Sequence, residues 1–155
     1  MKKTLLALML LIGTGIFAQI GRSTANRSQP ANDAPGSVQE SFKKQHPDAR
    51  EARWSQNNRE WSANYRDNGY RNVDVYYNRD GVSKDVHRAL DKMDVPGNIK
   101  SRIDDLYHTS GNFRVTRIER ENEQPVFQIK IPAGGSYRMV YMDEQGRSKL
   151  YNDSH

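Results

Sequence analysis

The sequence predicts an α+β protein built as two tandem repeats, each a helix plus a four-stranded antiparallel sheet. Val75–Gly81 reads VYYNRDG and Val140–Gly146 reads VYMDEQG, one strand-and-turn pattern written twice. Before each copy comes a short stretch with apolar residues at helical spacing. Segments follow in which apolar and polar residues alternate, the period of a half-buried strand. Asn, Asp and Gly punctuate these segments, residues that turn a chain.

The chain opens on a leader. Lys2 and Lys3 form a basic n-region, Leu5–Phe17 is largely apolar, and Ala18–Gln19 is the expected cleavage point. That is the plan of a secretory signal peptide over residues 1–18, although Ile16 stands where a small residue is usual. The apolar run is short for a bilayer, and no later stretch matches it, so the mature form is expected to have no membrane span. Export permits disulfides, yet the chain has 0 cysteines, so lipid attachment through cysteine is excluded and stability must come from the core. The 24 Lys+Arg and 19 Asp+Glu give a net charge of +5, or about +3 once Lys2 and Lys3 are removed. The two signs are interleaved. With an exported destination, that argues against nucleic acid as a partner.

Residues 19–35 are polar, small and proline-punctuated, and are expected to form a disordered tether. The domain then spans 36–152, in half-repeats 36–90 and 94–152. Ser37 is expected to cap a helix over Val38–Gln45, with Glu40 completing a capping box and Val38 and Phe42 sharing one face. His46-Pro47 ends it. Ala49–Trp54 is a weak strand. Glu60–Arg66 is a stronger one, with Trp61, Ala63 and Tyr65 alternating. Asp67-Asn68-Gly69 forms a hairpin turn in which Asn68 and Gly69 tolerate positive φ. Val73, Val75 and Tyr77 line one face of the next strand, Asn78–Gly81 turns, and Val82–Val86 is the last strand of the first half.

Asp94-Val95-Pro96-Gly97 opens the second half. A helix from Pro96 to Tyr107 presents Ile99, Ile103, Leu106 and Tyr107 as one stripe. Asn112–Glu119 carries Phe113, Val115 and Ile118, whose imperfect alternation predicts a twist or bulge. Pro125–Ile131 places Phe127, Ile129 and Ile131 on one face. Ala133–Ser136 connects to Tyr137–Met142, Glu144-Gln145-Gly146 turns, and Arg147–Tyr151 is the final strand. The halves can pack edge to edge into one longer sheet or stand as lobes joined through Leu90–Val95, and the short link favours one compact body.

The helix with Phe42 and Pro47 followed by Trp54, the Val73–Gly81 strand and turn, Asp94-Val95-Pro96 ahead of Ile99/Ile103/Tyr107, and the Tyr137–Gly146 strand and turn together resemble the PepSY-like family of exported Bacteroidetes proteins. That family is also described as similar to beta-lactamase inhibitory protein. The resemblance covers Gly36 to Tyr151. It implies a helix packed on a four-stranded antiparallel sheet and a periplasmic or cell-surface address. It brings no established activity and no catalytic residues. Fold-level analogy suggests inhibition, which in this chain would act in trans because no peptidase domain follows.

Chemistry-bearing motifs are lacking. His46, His87, His108 and His155 have no HExxH spacing, and without cysteine they complete no zinc set. His46 and His108 stand at helix C-termini, where a partly charged imidazole suits the dipole. Asp104 and Asp105 are adjacent and diverge. Gly134-Gly135-Ser136 lacks the G-x-S-x-G elbow and fits a hairpin connection. No enzyme and no cofactor are expected. Trp54, Trp61 and Tyr65 belong to the core, whereas Tyr70, Arg71 and Tyr76 form a candidate aromatic-basic patch and Tyr141 is the counterpart of Tyr76. The expectation is an exported, non-catalytic binding module of the cell envelope, with an envelope or secreted protein as partner and inhibition of an enzyme as one form of that binding. The alternative is an envelope structural protein or a carrier of a peptide or small hydrophobic ligand, bound in a cleft lined by Phe113, Phe127 and Met139.

Overall fold

The protein is described by a computed structural model over residues 29–31, 34–49, 51–69, 71–109 and 111–151. The leader, residues 19–28 of the tether and Tyr70 lie outside the described residues. In chain order the elements are β1 (Gln29–Ala31), α1 (Gly36–Gln45), β2 (Arg53–Asn57), β3 (Glu60–Arg66), β4 (Asn72–Tyr77), β5 (Ser83–Leu90), α2 (Gly97–Tyr107), β6 (Arg114–Arg120), β7 (Val126–Ala133) and β8 (Ser136–Met142). The strands form one 8-stranded sheet in the order β1-β2-β3-β4-β5-β6-β7-β8, with every neighbouring pair antiparallel. The halves therefore meet edge to edge, through β5 and β6 paired from Asp85↔Arg120 to Leu90↔Val115.

Both helices lie on the same face. Residues opposite one another across a ladder point to the same side, so the register carries one face from Val75 to Val86, Glu119, Val115 and Ile129. On that face α1 buries Val38 and Phe42 against Trp61, Ala63, Tyr65, Val73, Val75 and Tyr77. The second helix buries Ile99 and Ile103 against Val115, Phe127, Ile129, Ile131 and Met142. Each buried Val, Ile, Phe or Met side chain here contributes roughly 1.5–3 kcal/mol by leaving water. The face therefore carries two separate cores, one beneath each helix.

Both helices also begin alike. Ala34 and Val95 are buried, Pro35 and Pro96 follow with extended backbone, and Gln39 and Lys100 N–H donate to the two proline carbonyls at 3.0 Å. This corrects the expected Ser37 cap. The buried Ala34 and the φ of Pro35 set the start, which places Ser37 inside α1, and no side chain caps the helix. The α2 stripe is narrower than expected, since Leu106 is 43% exposed.

Strand limits differ where pairing overrides pattern. Asn58, at φ 54, and Arg59 make a two-residue turn that pairs Asn57 with Glu60, so β2 runs later than Ala49–Trp54. In the turn after β3, Gly69 does not adopt a left-handed φ; the Asp67 carboxylate organises it instead. Pairing with β6 extends β5 to Leu90. The expected irregularity in β6 falls instead between Tyr76 and Tyr77 of β4. Val115 faces the helices and Ile118 the other side, so β6 needs no bulge. Within the expected tether, Gln29–Ala31 pair with Gln56–Trp54. The final strand over Arg147–Tyr151 reduces to one bridge, Met142↔Ser148, because Asp143 holds residues 143–147 in a turn.

Candidate functional site

Strand alternation gives the sheet a second face, on which neither helix packs. Register places on it Ser55, Ser62, Asn64 and Asp74 in the first half. Tyr76, Asp85, His87, Thr116, Ile118, Arg120, Val126, Gln128, Lys130, Tyr137, Met139 and Tyr141 follow. The β2–β4 part is polar and internally bonded: Ser55 and Ser62 hydroxyls lie 2.6 Å apart, and Asn64 Nδ2 donates to Asp74 Oδ1 at 2.7 Å. The β4–β8 part is aromatic and charged.

At its centre is a buried carboxylate. Asp85 is 2% exposed, accepts from Arg120 Nε at 2.6 Å and Nη2 at 3.2 Å, and lies 3.6 Å from His87 Nε2. A charge this deep requires such pairing, because burial without it costs several kcal/mol. The hydrogen bonds to Asp85 raise the Arg120 pKa above its already high value, so the guanidinium is charged at any physiological pH. The Tyr76 ring lies 4.8 Å from that of His87. Gln128 Nε2 donates to the Tyr141 hydroxyl at 3.0 Å, and Tyr141 stacks on Tyr151 at 4.8 Å. Toward the tip of β8, Tyr137 is 60% and Met139 46% exposed, with Lys130 Nζ 4.2 Å from the Tyr137 ring centre.

The four sequence-predicted site residues separate. Tyr76 and Tyr141 share the helix-free face, on β4 and β8. Arg71 does not join them. It pairs with Asp67 at 3.2 Å and Asp94 at 3.0 Å, tying the β3–β4 turn to the link between the halves. Tyr70 lies outside the described residues. Asp67 is further bonded by Arg88 Nη1 at 2.8 Å and by the Gly69 and Arg71 N–H groups. Burial alone would raise its pKa; the backbone donors and the two guanidiniums outweigh this and hold the carboxyl below its ordinary value.

The supposed carrier cleft is not assembled. Phe113 and Phe127 are buried in the second core, whereas Met139 is on the opposite face. An open recess of about 830 Å³ lies instead near Asp48, Arg53, Asn64, Arg66 and Asn72, and its lining is mostly polar. His46 also departs from expectation. Its Nδ1 meets the Tyr65 hydroxyl at 3.0 Å, and burial, aided by Arg88, lowers its pKa, so it is neutral rather than partly charged. Among the described residues no group of three or more His, Cys, Asp or Glu is placed to hold a metal ion. No helix among them is long and apolar enough to cross a membrane.

Asp85, His87, Arg120, Gln128 and Tyr151 were not singled out in the sequence as site residues. Alternation put Asp85, His87, Arg120 and Gln128 on the polar side of their strands, and Tyr151 lies on no strand. The β5–β6 register that joins Asp85 to Arg120 is set by long-range pairing, which no local pattern announces.

No family model and no curated protein matches the chain. Solved structures of Bacteroides proteins do. One, from Bacteroides eggerthii and described as periplasmic, superposes with a TM-score of 0.69 at 22% identity over 75% of this chain and 86% of that one. A DUF2874 family protein from Bacteroides ovatus gives 0.68 at 23% identity over 76% and 86%. A BLIP-like protein from Bacteroides fragilis gives 0.66 at 18% identity over 81% and 94%. The fold is thus the α+β arrangement of those proteins, helices flanking a multi-stranded antiparallel sheet.

Proposed function

We propose that this chain is an exported, non-catalytic binding module of the periplasm or cell surface that grips another protein with its helix-free sheet face. The observation that carries this reading is the asymmetry of the sheet. One face is covered by both helices, and the other presents Tyr76, Tyr137, Met139, Tyr141 and Arg120. Tyrosine, methionine and arginine are the residue types favoured in protein interfaces. Export is supported by the leader and by the likeness to a protein described as periplasmic. PepSY-like membership and a beta-lactamase-inhibitor-like mode, with an envelope or secreted enzyme as the partner, are supported by the residues that carry the resemblance and by the likeness to a BLIP-like protein. The half-repeats are supported by the matching helix starts at Pro35 and Pro96 and the matching turns at Gly81 and Gly146.

The test is in-cell crosslinking of the tagged mature protein, followed by mass spectrometry of what it captures. A stoichiometric protein partner is expected, and Tyr76→Ala should weaken its binding at least about tenfold while the variant stays folded. Capture of no partner by a folded, abundant bait would sink the reading. Unchanged affinity of the Tyr76→Ala chain would remove Tyr76 from the interface.

A further inference from the structure

The helix-free face already holds a tyrosine, the chain's own. After the Met142↔Ser148 bridge, Lys149 N–H donates to the Tyr141 carbonyl at 2.9 Å, and the tail carries Tyr151 onto the face. The Tyr151 ring stacks on Tyr141 with 23° between the planes, and the Arg120 guanidinium carbon lies 4.8 Å from its centre. Its hydroxyl is used in both senses: Arg120 Nη2 donates to it at 2.9 Å, and it donates to Asp85 Oδ2 at 3.2 Å.

The groups that receive Tyr151 are strand-borne and hold one another. Asp85 and Arg120 are bonded directly across β5 and β6, and Gln128 fixes Tyr141 through its hydroxyl. A flat aromatic wall, a cation, and a paired donor and acceptor 2.9 and 3.2 Å from one oxygen suit a phenol. A benzene ring would leave the buried Asp85 carboxylate and the Arg120 donor one partner short. The tail that supplies Tyr151 reaches it through exposed residues. Lys149 and Leu150 are exposed, Leu150 fully so, and Tyr151 belongs to neither helix-packed core.

We propose that Asp85, Arg120 and Tyr141 form a receptacle for a tyrosine side chain projecting from the partner protein, and that Tyr151 occupies it as a displaceable plug. This rests on the reading of the helix-free face as the protein-binding surface. The plug adds its hydroxyl to the Asp85–Arg120 pair until a competing tyrosine arrives, and the partner must out-compete a group tethered beside the site.

The test titrates N-acetyl-tyrosinamide into the full chain, the Tyr151→Ala chain and a chain lacking residues 150–155, following backbone amide resonances. In both altered chains the probe is expected to shift Asp85, Arg120 and Tyr141 saturably, in the millimolar range. Binding to the unaltered chain should be at least about tenfold weaker, because the tethered plug competes. N-acetyl-phenylalaninamide should also bind about tenfold more weakly to the altered chains, having no hydroxyl. The proposal is overturned by an absence of saturable shifts in both folded altered chains, by equal binding to plugged and unplugged chains, or by equal binding of the two probes. Those failures leave the protein-binding face standing, since partner capture is a separate measurement. Failed capture beside intact tyrosine binding would overturn the face as a protein interface and the partner tyrosine with it.

Discussion

Gly81 ends the β4–β5 turn at φ +84, and a Cβ built there would stand 2.7 Å from the Ser37 carbonyl oxygen in the first turn of α1. Gly146, at φ +76, stands likewise against the first turn of α2, 3.4 Å from the Asn98 carbonyl oxygen. Each glycine lets a turn press onto a helix start; at Gly81 only glycine has both the backbone angle and the room, whereas at Gly146 a Cβ would meet ordinary contact and the backbone angle alone favours glycine. Gly81→Ala is expected to cost well over the about 1–2 kcal/mol that a left-handed backbone alone costs an alanine. Gly134→Ala, at φ +52 with open space around it, should cost only that strain. Urea denaturation of the two variants compares them; equal losses would show that the Ser37 contact is immaterial. The adjoining turns share a second device. The side chains of Asp67, Asn78 and Asp143 each accept two N–H groups from the residues two and four ahead, which is why D-x-x-x-R and N-x-x-x-V fold the same way. His46 supplies the pH dependence. Its folded pKa lies below the ordinary 6.5, so the unfolded chain takes up a proton first as pH falls. Stability contributed by neutral His46 is present above about pH 6.5 and declines below it. Chemical denaturation at pH 7 and pH 5 should show a smaller loss for His46→Gln than for the unaltered chain; identical losses would assign the effect elsewhere.

At the scale of elements, legibility follows whether a strand or helix declares its faces alone. Trp61, Ala63 and Tyr65 alternate so cleanly that β3 is read from Glu60 to Arg66 as found. The α2 stripe is legible through Ile99 and Ile103, both fully buried. Ile103→Ala is expected to cost about 2–5 kcal/mol and Leu106→Ala within about 0.5 kcal/mol, measured by thermal melting. Comparable costs would mean that α2 buries a different face. Strands β5 and β6 were harder, because between the two cores the helix-bearing face carries Arg88, Arg117 and Glu119. With charged residues on both sides of a strand, neither its length nor its partner is written locally. The short β1 is legible only from β2, which supplies its hydrogen bonds. The same division runs through the candidate site. Alternation sent Tyr76 away from Val75 and Tyr77, but the meeting of Asp85 with Arg120 and of Tyr141 with Tyr151 depends on pairings far apart in the chain.

The described residues form one sheet beneath two cores. The β5–β6 ladder continues the hydrogen bonding between the halves, and Arg71 adds an ion pair from the β3–β4 turn to Asp94 in the link. The halves are therefore expected to unfold together. Phe42→Ala in the first core and Ile103→Ala in the second should each lower a single transition, with calorimetric and van't Hoff enthalpies in agreement. Two resolved transitions would show that the seam transmits little. Sharing one sheet also makes the helix-free face continuous across both halves, with Asp85, Ile118 and Val126 buried at its middle.

Strand order that follows chain order has a mechanical meaning as well. Each ladder joins strands consecutive in the order β1 to β8, so among the described residues no strand is inserted between two that precede or follow it out of turn. A pull applied to the two ends of the described chain would reach β1 and β8, the outermost strands, first. It would load their hydrogen bonds one pair after another, as a zipper is opened, instead of shearing a whole ladder at once. A chain paired in this order is expected to yield at low force rather than to bear tension.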